Sequence, residues 1–117
     1  MSVNYTKRED DQLDWVPVAD ESELPQGERL FVEIDEHRLV IFNISGKFYA
    51  IADICSHDGG QIGEGEFEGE YEISCPRHGA RFDVRDGKVL SLPAVVDIPA
   101  FPVKINGGYI EVGVPSD

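Results

Sequence analysis

The chain has 117 residues, a length typical of one domain, and its hydrophobic content of 41% is sufficient for one folded core. Its 23 acidic residues outnumber its 10 lysines and arginines, and the formal net charge of −13 argues against nucleic acid or an anionic membrane as the main partner. The sequence has no apolar run of the roughly 20 residues that a membrane span needs and no apolar stretch typical of a signal peptide, so we expect a soluble, cytoplasmic protein.

The predicted boundaries enclose a single domain. Residues 1–12 are polar and show no periodicity, so we expect a frayed terminus that adds little to the core. Residues 13–114 are predicted to form the domain, and residues 115–117 a short tail. Within the domain, residues from about 53 to 83 are richer in Gly, Cys, His and Pro and predict a small loop-rich subdomain.

The first half of the domain predicts short strands joined by tight turns. Alternating apolar residues indicate strands at 15–18, 30–34, 40–44 and 47–51. Asp20 is a suitable N-cap for one helical turn that ends before Pro25. Ser45-Gly46 predicts a hairpin turn, because glycine accepts the positive φ that such turns require. The last three strands are therefore expected to form a meander.

The second half also predicts strands almost throughout. A short hairpin is expected at 64–74, and further strands are expected at 82–84, 88–90, 95–98, 103–105 and 109–112. Asp86-Gly87 and the Asn-Gly-Gly run at 106–108 predict turns between them. Closely spaced short strands with this punctuation indicate an all-β sandwich or barrel that carries an inserted pair of loops.

Two Cys-His pairs are the sequence feature that points to chemistry. Cys55-Ser56-His57 and Cys75-Pro76-Arg77-His78 are separated by seventeen residues, from Asp58 to Ser74. In a Cys₂His₂ zinc finger both cysteines precede both histidines, whereas here the order is interleaved. Two separate loops would each present one thiolate and one imidazole, which suits a binuclear centre with soft ligands on one metal and nitrogen ligands on the other.

The motifs CSHDGG and CPRHGARFD around these pairs resemble the Rieske [2Fe-2S] family. The resemblance extends to Trp15 in the first strand and to Leu92-Pro93-Ala94, which is similar to the proline-containing loop that covers the cluster. It implies an antiparallel β-sandwich with a cluster-binding subdomain of two loops and a short hairpin. It also implies one [2Fe-2S] cluster, with thiolates on the buried iron and ring nitrogens on the outer iron. The implied ligands are Cys55, His57, Cys75 and His78.

The sequence departs from the respiratory branch of that family at four positions. Gly60 and Arg77 stand where that branch has two further cysteines, so its loop-clamping disulfide is absent. Ala80 and Phe82 stand where it has hydroxyl-bearing residues that donate hydrogen bonds to cluster sulfur. Fewer donors stabilise less of the reduced cluster's charge, so we expect a potential toward the lower end of the family's range. The pattern resembles a Rieske-type ferredoxin.

The resemblance implies a monomeric one-electron carrier that passes electrons from a flavoprotein reductase to a terminal non-heme iron oxygenase. The chain is not expected to be the enzyme itself, because only His37 remains for a mononuclear iron site once His57 and His78 bind the cluster. The small Rieske subunit of an assimilatory nitrite reductase is the alternative. A zinc-stabilised interaction module and a structural disulfide between Cys55 and Cys75 are more remote readings.

Three further features carry ionisable side chains: one histidine, one acidic run and one group of arginines. His37 lies in a polar hairpin turn and is expected to be an exposed surface residue. The acidic run at 64–72 is either a docking patch or a solvated face. Arg77, Arg81 and Arg85 place positive charge in or after the second loop, where they either moderate repulsion or position a partner's carboxylate.

Overall fold

The computed structural model describes residues 4–55, 60–76, 79–92, 94 and 96–115. Ten strands lie within these ranges. In chain order they are β1 (Leu13–Asp20), β2 (Arg29–Ile34), β3 (His37–Ile44), β4 (Lys47–Ala52), β5 (Glu72–Ser74), β6 (Arg81–Asp83), β7 (Val89–Ser91), β8 (Ala100–Phe101), β9 (Val103–Asn106) and β10 (Tyr109–Pro115). The helical elements of the same residues are three short 3₁₀ turns, Tyr5–Lys7, Asp10–Gln12 and Glu21–Glu23. None of them has the length or the apolar character that crossing a bilayer requires.

The strands form three sheets. Their orders are β1-β10-β9, β2-β3-β4-β8 and β5-β6-β7, and every strand pairing is antiparallel. The all-β fold and the meander of β2, β3 and β4 are therefore confirmed. The pairing of the first long strand with the last was not predicted, because no local pattern specifies a partner about a hundred residues away.

The predicted turns have the backbone geometry that their residues favour. Ser45 and Gly46 both have positive φ, 56° and 88°, as a two-residue hairpin turn requires. The predicted helical turn is also confirmed: Asp20 accepts a hydrogen bond from the Ser22 N–H, and the Glu23 carboxylate accepts one from the Asp20 N–H. This reciprocal capping fixes the start of the 3₁₀ turn.

Strand β3 divides the buried residues into two clusters. Its residues from Leu39 to Phe42 form a continuous apolar run that is buried on both faces. Because side chains alternate along a strand, Val40 and Phe42 pack with the third sheet and the loops, whereas Leu39 and Ile41 pack toward the first sheet. The first of these clusters, which we call the loop-side core, contains both cysteines.

The predicted strand at 95–98 is wrong over its described part. Val95 lies outside the described residues, and residues 96–99 are irregular. Their polar groups bond to the turn at Gly87 and the start of β7 without forming a strand ladder: the Asp97 carboxylate accepts the Val89 N–H at 2.8 Å, and the Ile98 N–H donates to the Gly87 carbonyl at 2.9 Å. The apolar alternation there serves to bury Ile98 in the loop-side core.

The N-terminal residues that the structure describes pack onto the second sheet. The Tyr5 ring stacks on Phe101 with centroids 5.1 Å apart, and Asn4 forms an isolated bridge with Ala100. The predicted domain boundaries stay predictions.

Candidate metal centre

Cys55 and Cys75 occupy equivalent places in two loops. Cys55 follows β4, and its N–H donates to the Gly60 carbonyl at 2.6 Å. Cys75 follows β5, and its N–H donates to the Ala80 carbonyl at 2.7 Å. Each cysteine therefore opens a loop that is closed by a hydrogen bond to the residue five positions later. Two loops with the same closing bond present their thiols in the same local setting.

Both thiols are buried in one apolar cluster. Cys55 is 0% exposed and Cys75 is 2% exposed, and both belong to the loop-side core. Ala80 and Phe82, the two positions where hydroxyls are absent, are buried in that same cluster. The structure thus brings together the two predicted sulfur ligands and the two side chains predicted to influence the potential.

The two predicted histidine ligands, His57 and His78, lie outside the described residues, as do Arg77 and Pro93. In the sequence, each histidine falls between a cysteine and the residue that closes its loop. The described donor set, two buried thiols from two equivalent loops, fits a metal centre held by thiolates on its inner side. A thiolate in an apolar interior is stabilised when it binds a metal ion.

Backbone geometry shapes the second loop. Gly79 has a φ of +76°, and its N–H donates to the Cys75 carbonyl at 3.0 Å. A side chain at this left-handed position would be strained, so glycine lets the chain reverse between the cysteine and β6. Because β5 and β6 are paired, the sheet itself holds the two ends of this loop together.

Two charged residues beside the first loop were missed by the sequence analysis. The Asp53 carboxylate, in a residue only 7% exposed, accepts hydrogen bonds from the N–H groups of Ile62 and Gly63. The Arg29 guanidinium donates to the carbonyls of Gly63 and Gly65. The only sequence signal for Asp53 was a lone carboxylate in an otherwise apolar run, and Arg29 gave none.

The described arginines near the second loop are engaged within the chain. Arg81 lies 3.7 Å from Glu68 and 3.9 Å from Glu72, so it offsets part of the charge of the acidic run. Arg85 donates to both carboxylate oxygens of Asp83, at 3.0 and 2.7 Å. For Arg81 and Arg85, the structure therefore supports the interpretation that they reduce repulsion among acidic side chains.

Partial burial of Asp83 opposes its ionisation, but hydrogen bonds from the Arg85 side chain and backbone N–H outweigh that effect and lower the pKa of the carboxyl. Because the pKa is lowered, this pair stabilises the fold at pH values above the ordinary carboxyl pKa. The contribution is lost as the pH falls through the lowered value.

His37 is not the exposed residue that the sequence predicted. It is the first residue of β3, it is half-buried, and its ring contacts Phe101 edge-on at 5.7 Å. The polar context of the turn indicated exposure, but the ring contacts Phe101 of β8, two strands away in the same sheet. His37 is not part of the loop-side core.

The Rieske [2Fe-2S] domain family matches residues 14–102. The chain belongs to this family. Among similar proteins is the 3-phenylpropionate/cinnamic acid dioxygenase ferredoxin subunit of Escherichia coli K12, which is 39% identical over 99 residues, covering 85% of this chain and 90% of that protein. Domains of this family bind a [2Fe-2S] cluster. The resemblance to the Rieske family that the motifs indicated is therefore confirmed.

Solved ferredoxin structures have the same fold as this chain over most of the length of both chains. The ferredoxin of carbazole 1,9a-dioxygenase from Nocardioides aromaticivorans IC177 has a TM-score of 0.79 and 34% identity, over 87% of this chain and 98% of that one. A ferredoxin-oxygenase complex of carbazole 1,9a-dioxygenase has a TM-score of 0.78 and 28% identity, over 88% and 95% of the two chains. The predicted fold class, a Rieske-type antiparallel β-sandwich, is confirmed.

Proposed function

We propose that this Rieske protein is a one-electron carrier that passes electrons from a flavoprotein reductase to a terminal non-heme iron oxygenase. The observation that carries the proposal is the pair of buried thiols in two equivalent loops, within a chain whose similarity to a dioxygenase ferredoxin subunit spans nearly the full length of both. The match to the Rieske domain family spans residues 14–102 of the 117 residues.

Four side chains are proposed to hold the cluster: Cys55, His57, Cys75 and His78. When bound, the cluster takes up and releases one electron at a time. Two thiolates and two neutral imidazoles balance the charge of two ferric ions and two sulfides, so the oxidised centre is neutral, whereas four thiolates would leave it at −2. Adding an electron to a neutral centre costs less, in line with Rieske potentials of about −150 to +300 mV against about −400 mV for plant-type ferredoxins.

The chain's own residues provide a dry setting for the two thiols and exposed apolar side chains for contact with a partner. The loop-side core surrounds both thiols with apolar side chains and keeps water from them. Leu92, in the segment that resembles the covering loop, is 75% exposed, and Ile54 beside Cys55 is also exposed. Exposed apolar side chains of this kind are suited to the centre of a protein–protein contact.

Reconstitution tests the proposal. The chain is combined with the flavoprotein reductase and the terminal oxygenase of its own host, and substrate-dependent oxygen uptake is followed. Uptake is expected only when all three proteins are present, and a Cys75→Ser chain is expected not to support it. Uptake that is unchanged without the chain would contradict the proposal, and so would isolation of the chain as a fixed subunit of a nitrite-reducing complex.

Electron transfer to a cognate partner should slow as salt is added. The net charge of −13 predicts electrostatic attraction to a basic surface, which weakens as the Debye length falls from about 10 Å at 0.1 M to about 3 Å at 1 M salt. Stopped-flow measurement of the second-order rate constant with the reductase checks this. A rate that stays flat or rises would show that the contact is apolar and that the charge serves solubility.

A matched pair of double variants locates the effect on the surface. Glu66→Gln with Glu70→Gln removes charge from the acidic run, whereas Glu21→Gln with Glu36→Gln removes the same charge from exposed turns elsewhere. If the acidic run is the docking patch, only the first pair reduces the salt dependence. Equal effects would assign the steering to the overall charge of the chain.

A further inference from the structure

Residues 61–65 form a short segment that follows the first cysteine loop and is held by two side chains of opposite charge. The two side chains bond different groups of its backbone. Asp53 accepts from its N–H groups, and Arg29 donates to its carbonyl oxygens. An acidic and a basic side chain that bond one backbone segment restrain it more tightly than either would alone.

The Asp53 carboxylate ties the end of the first loop to its start. Asp53 lies two residues before Cys55 and accepts the Ile62 N–H at 3.0 Å and the Gly63 N–H at 2.6 Å through the same oxygen. Its other oxygen accepts the Gln61 side-chain amide at 3.2 Å. Hydrogen bonds to an ionised acceptor are roughly twice as strong as neutral ones, and here the acceptor is buried.

Aromatic contacts hold the Arg29 guanidinium beside residues 61–65. It lies within cation–π distance of two aromatic rings that contact each other edge-on, 5.3 Å from the centroid of Phe42 and 5.5 Å from that of Phe67. From this position it donates to the Gly63 carbonyl and, at 2.8 Å, to the Gly65 carbonyl. These contacts limit the freedom of the guanidinium, so it loses less entropy when both hydrogen bonds form.

The same segment touches the strand that leads to the second cysteine. A Cβ atom on Gly65 would overlap the carbonyl oxygen of Ser74, the residue before Cys75. The Ser74 N–H also donates to the Glu66 carbonyl at 2.9 Å. Whatever fixes residues 61–65 therefore also fixes the position of the first loop relative to the second.

We propose that Arg29 and Asp53 are positioning residues for the metal centre. By bonding residues 61–65 from two sides, they hold the two cysteine loops at a fixed separation. This inference rests on the proposed function, since it concerns how the chain keeps its cluster. Neither residue is a ligand. Both act through the backbone that closes the first loop and abuts the second.

The test compares Asp53→Ala, Asp53→Asn, Arg29→Ala and Arg29→Lys in the cluster-loaded chain, with Asp14→Ala and Arg38→Ala as exposed controls of the same type. Two quantities are measured: the rate of iron release to a chelator, and hydrogen exchange of the peptides that cover 60–66 and 108–115. Asp53→Ala and Arg29→Ala are expected to raise both the release rate and the exchange of 60–66 by about tenfold, because charge-assisted hydrogen bonds are lost. Exchange of 108–115 and both controls should stay unchanged.

The conservative variants separate positioning from general stability. Asp53→Asn keeps an acceptor oxygen and is expected to restore most of the protection, whereas Arg29→Lys lacks the planar fork and is not. The visible circular dichroism of the bound cluster should change in Arg29→Ala and not in Arg38→Ala. Because both residues act on one segment, the double alanine variant should release iron more slowly than the product of the two single effects predicts.

Equal loss of protection in 60–66 and 108–115 would show ordinary destabilisation and overturn the proposal. Release rates and exchange that match those of the controls would overturn it as well. A wild-type chain that binds no [2Fe-2S] cluster would instead contradict the proposed function, and the exchange of 60–66 in that chain would still show whether Arg29 and Asp53 restrain the segment.

Discussion

Replacement of His78 by alanine is expected to remove most of the bound cluster. Loss of one imidazole would leave the outer iron with a single protein ligand, and metal sites that lose a ligand lose both affinity and folding energy. Iron and acid-labile sulfide should fall together to a small fraction of their wild-type content. The visible absorbance of the purified protein, normalised to its concentration, gives the same answer independently.

His37→Ala is the matched control for that change. His37 lies on β3 against Phe101 and outside the loop-side core, so its loss removes a ring contact and leaves the cysteine loops intact. The variant is expected to melt at a slightly lower temperature with an unchanged visible spectrum. A His78→Ala protein with full iron and sulfide, or a His37→Ala protein without them, would contradict the ligand assignment.

Ala80→Ser and Phe82→Tyr are each expected to raise the reduction potential. Both residues are fully buried in the cluster of side chains that contains Cys55 and Cys75, so an added hydroxyl enters the immediate surroundings of the thiols. An O–H that donates to sulfur stabilises the more negative, reduced state. Differential stabilisation of about 1.4–3 kcal/mol corresponds to about 60–130 mV for one electron. Protein-film voltammetry on both single variants and the double variant measures the shifts.

Ala50→Ser and Phe101→Tyr make the same chemical changes away from the loop-side core. Ala50 on β4 and Phe101 on β8 are both buried in the other cluster. Neither control should shift the potential. Unchanged or lowered potentials in the Ala80 and Phe82 variants, with crystallography showing the hydroxyls directed at the cluster, would mean that backbone amides or solvent exposure set the potential.

The sequence predicted the features of the fold that depend on neighbouring residues. The turn at Ser45-Gly46 and the 3₁₀ turn after Asp20 are defined by residues within a few positions of one another, and both were predicted correctly. The apolar pattern at 95–98 led to a wrong strand prediction. Such a pattern indicates which side chains are buried, but a strand also needs a partner strand with unpaired backbone groups. Asp97 bonds the first residue of β7 through its side chain, and Ile98 bonds the turn at Gly87.

The sequence pointed to Cys55 and Cys75 as a pair because the spacing of the two Cys-His pairs resembles the family pattern, and the structure buries both in one cluster. Asp53 and Arg29 could not be found in this way, because their hydrogen-bond partners are distant in the chain. Asp53 bonds residues nine and ten positions away, and Arg29 bonds carbonyls 34 and 36 positions away. His37 was misjudged for the same reason, since Phe101 covers it from a strand far along the chain.

Metal and sulfide analysis of the chain purified anaerobically from an iron-replete host, combined with electron paramagnetic resonance, shows whether the chain carries a Rieske cluster. A Rieske carrier should be red-brown and contain two irons and two acid-labile sulfides per chain. It should show a resonance only when reduced, with an average g below that of all-cysteine clusters. Stoichiometric zinc without sulfide, in a colourless protein, would show that the chain is not a Rieske electron carrier.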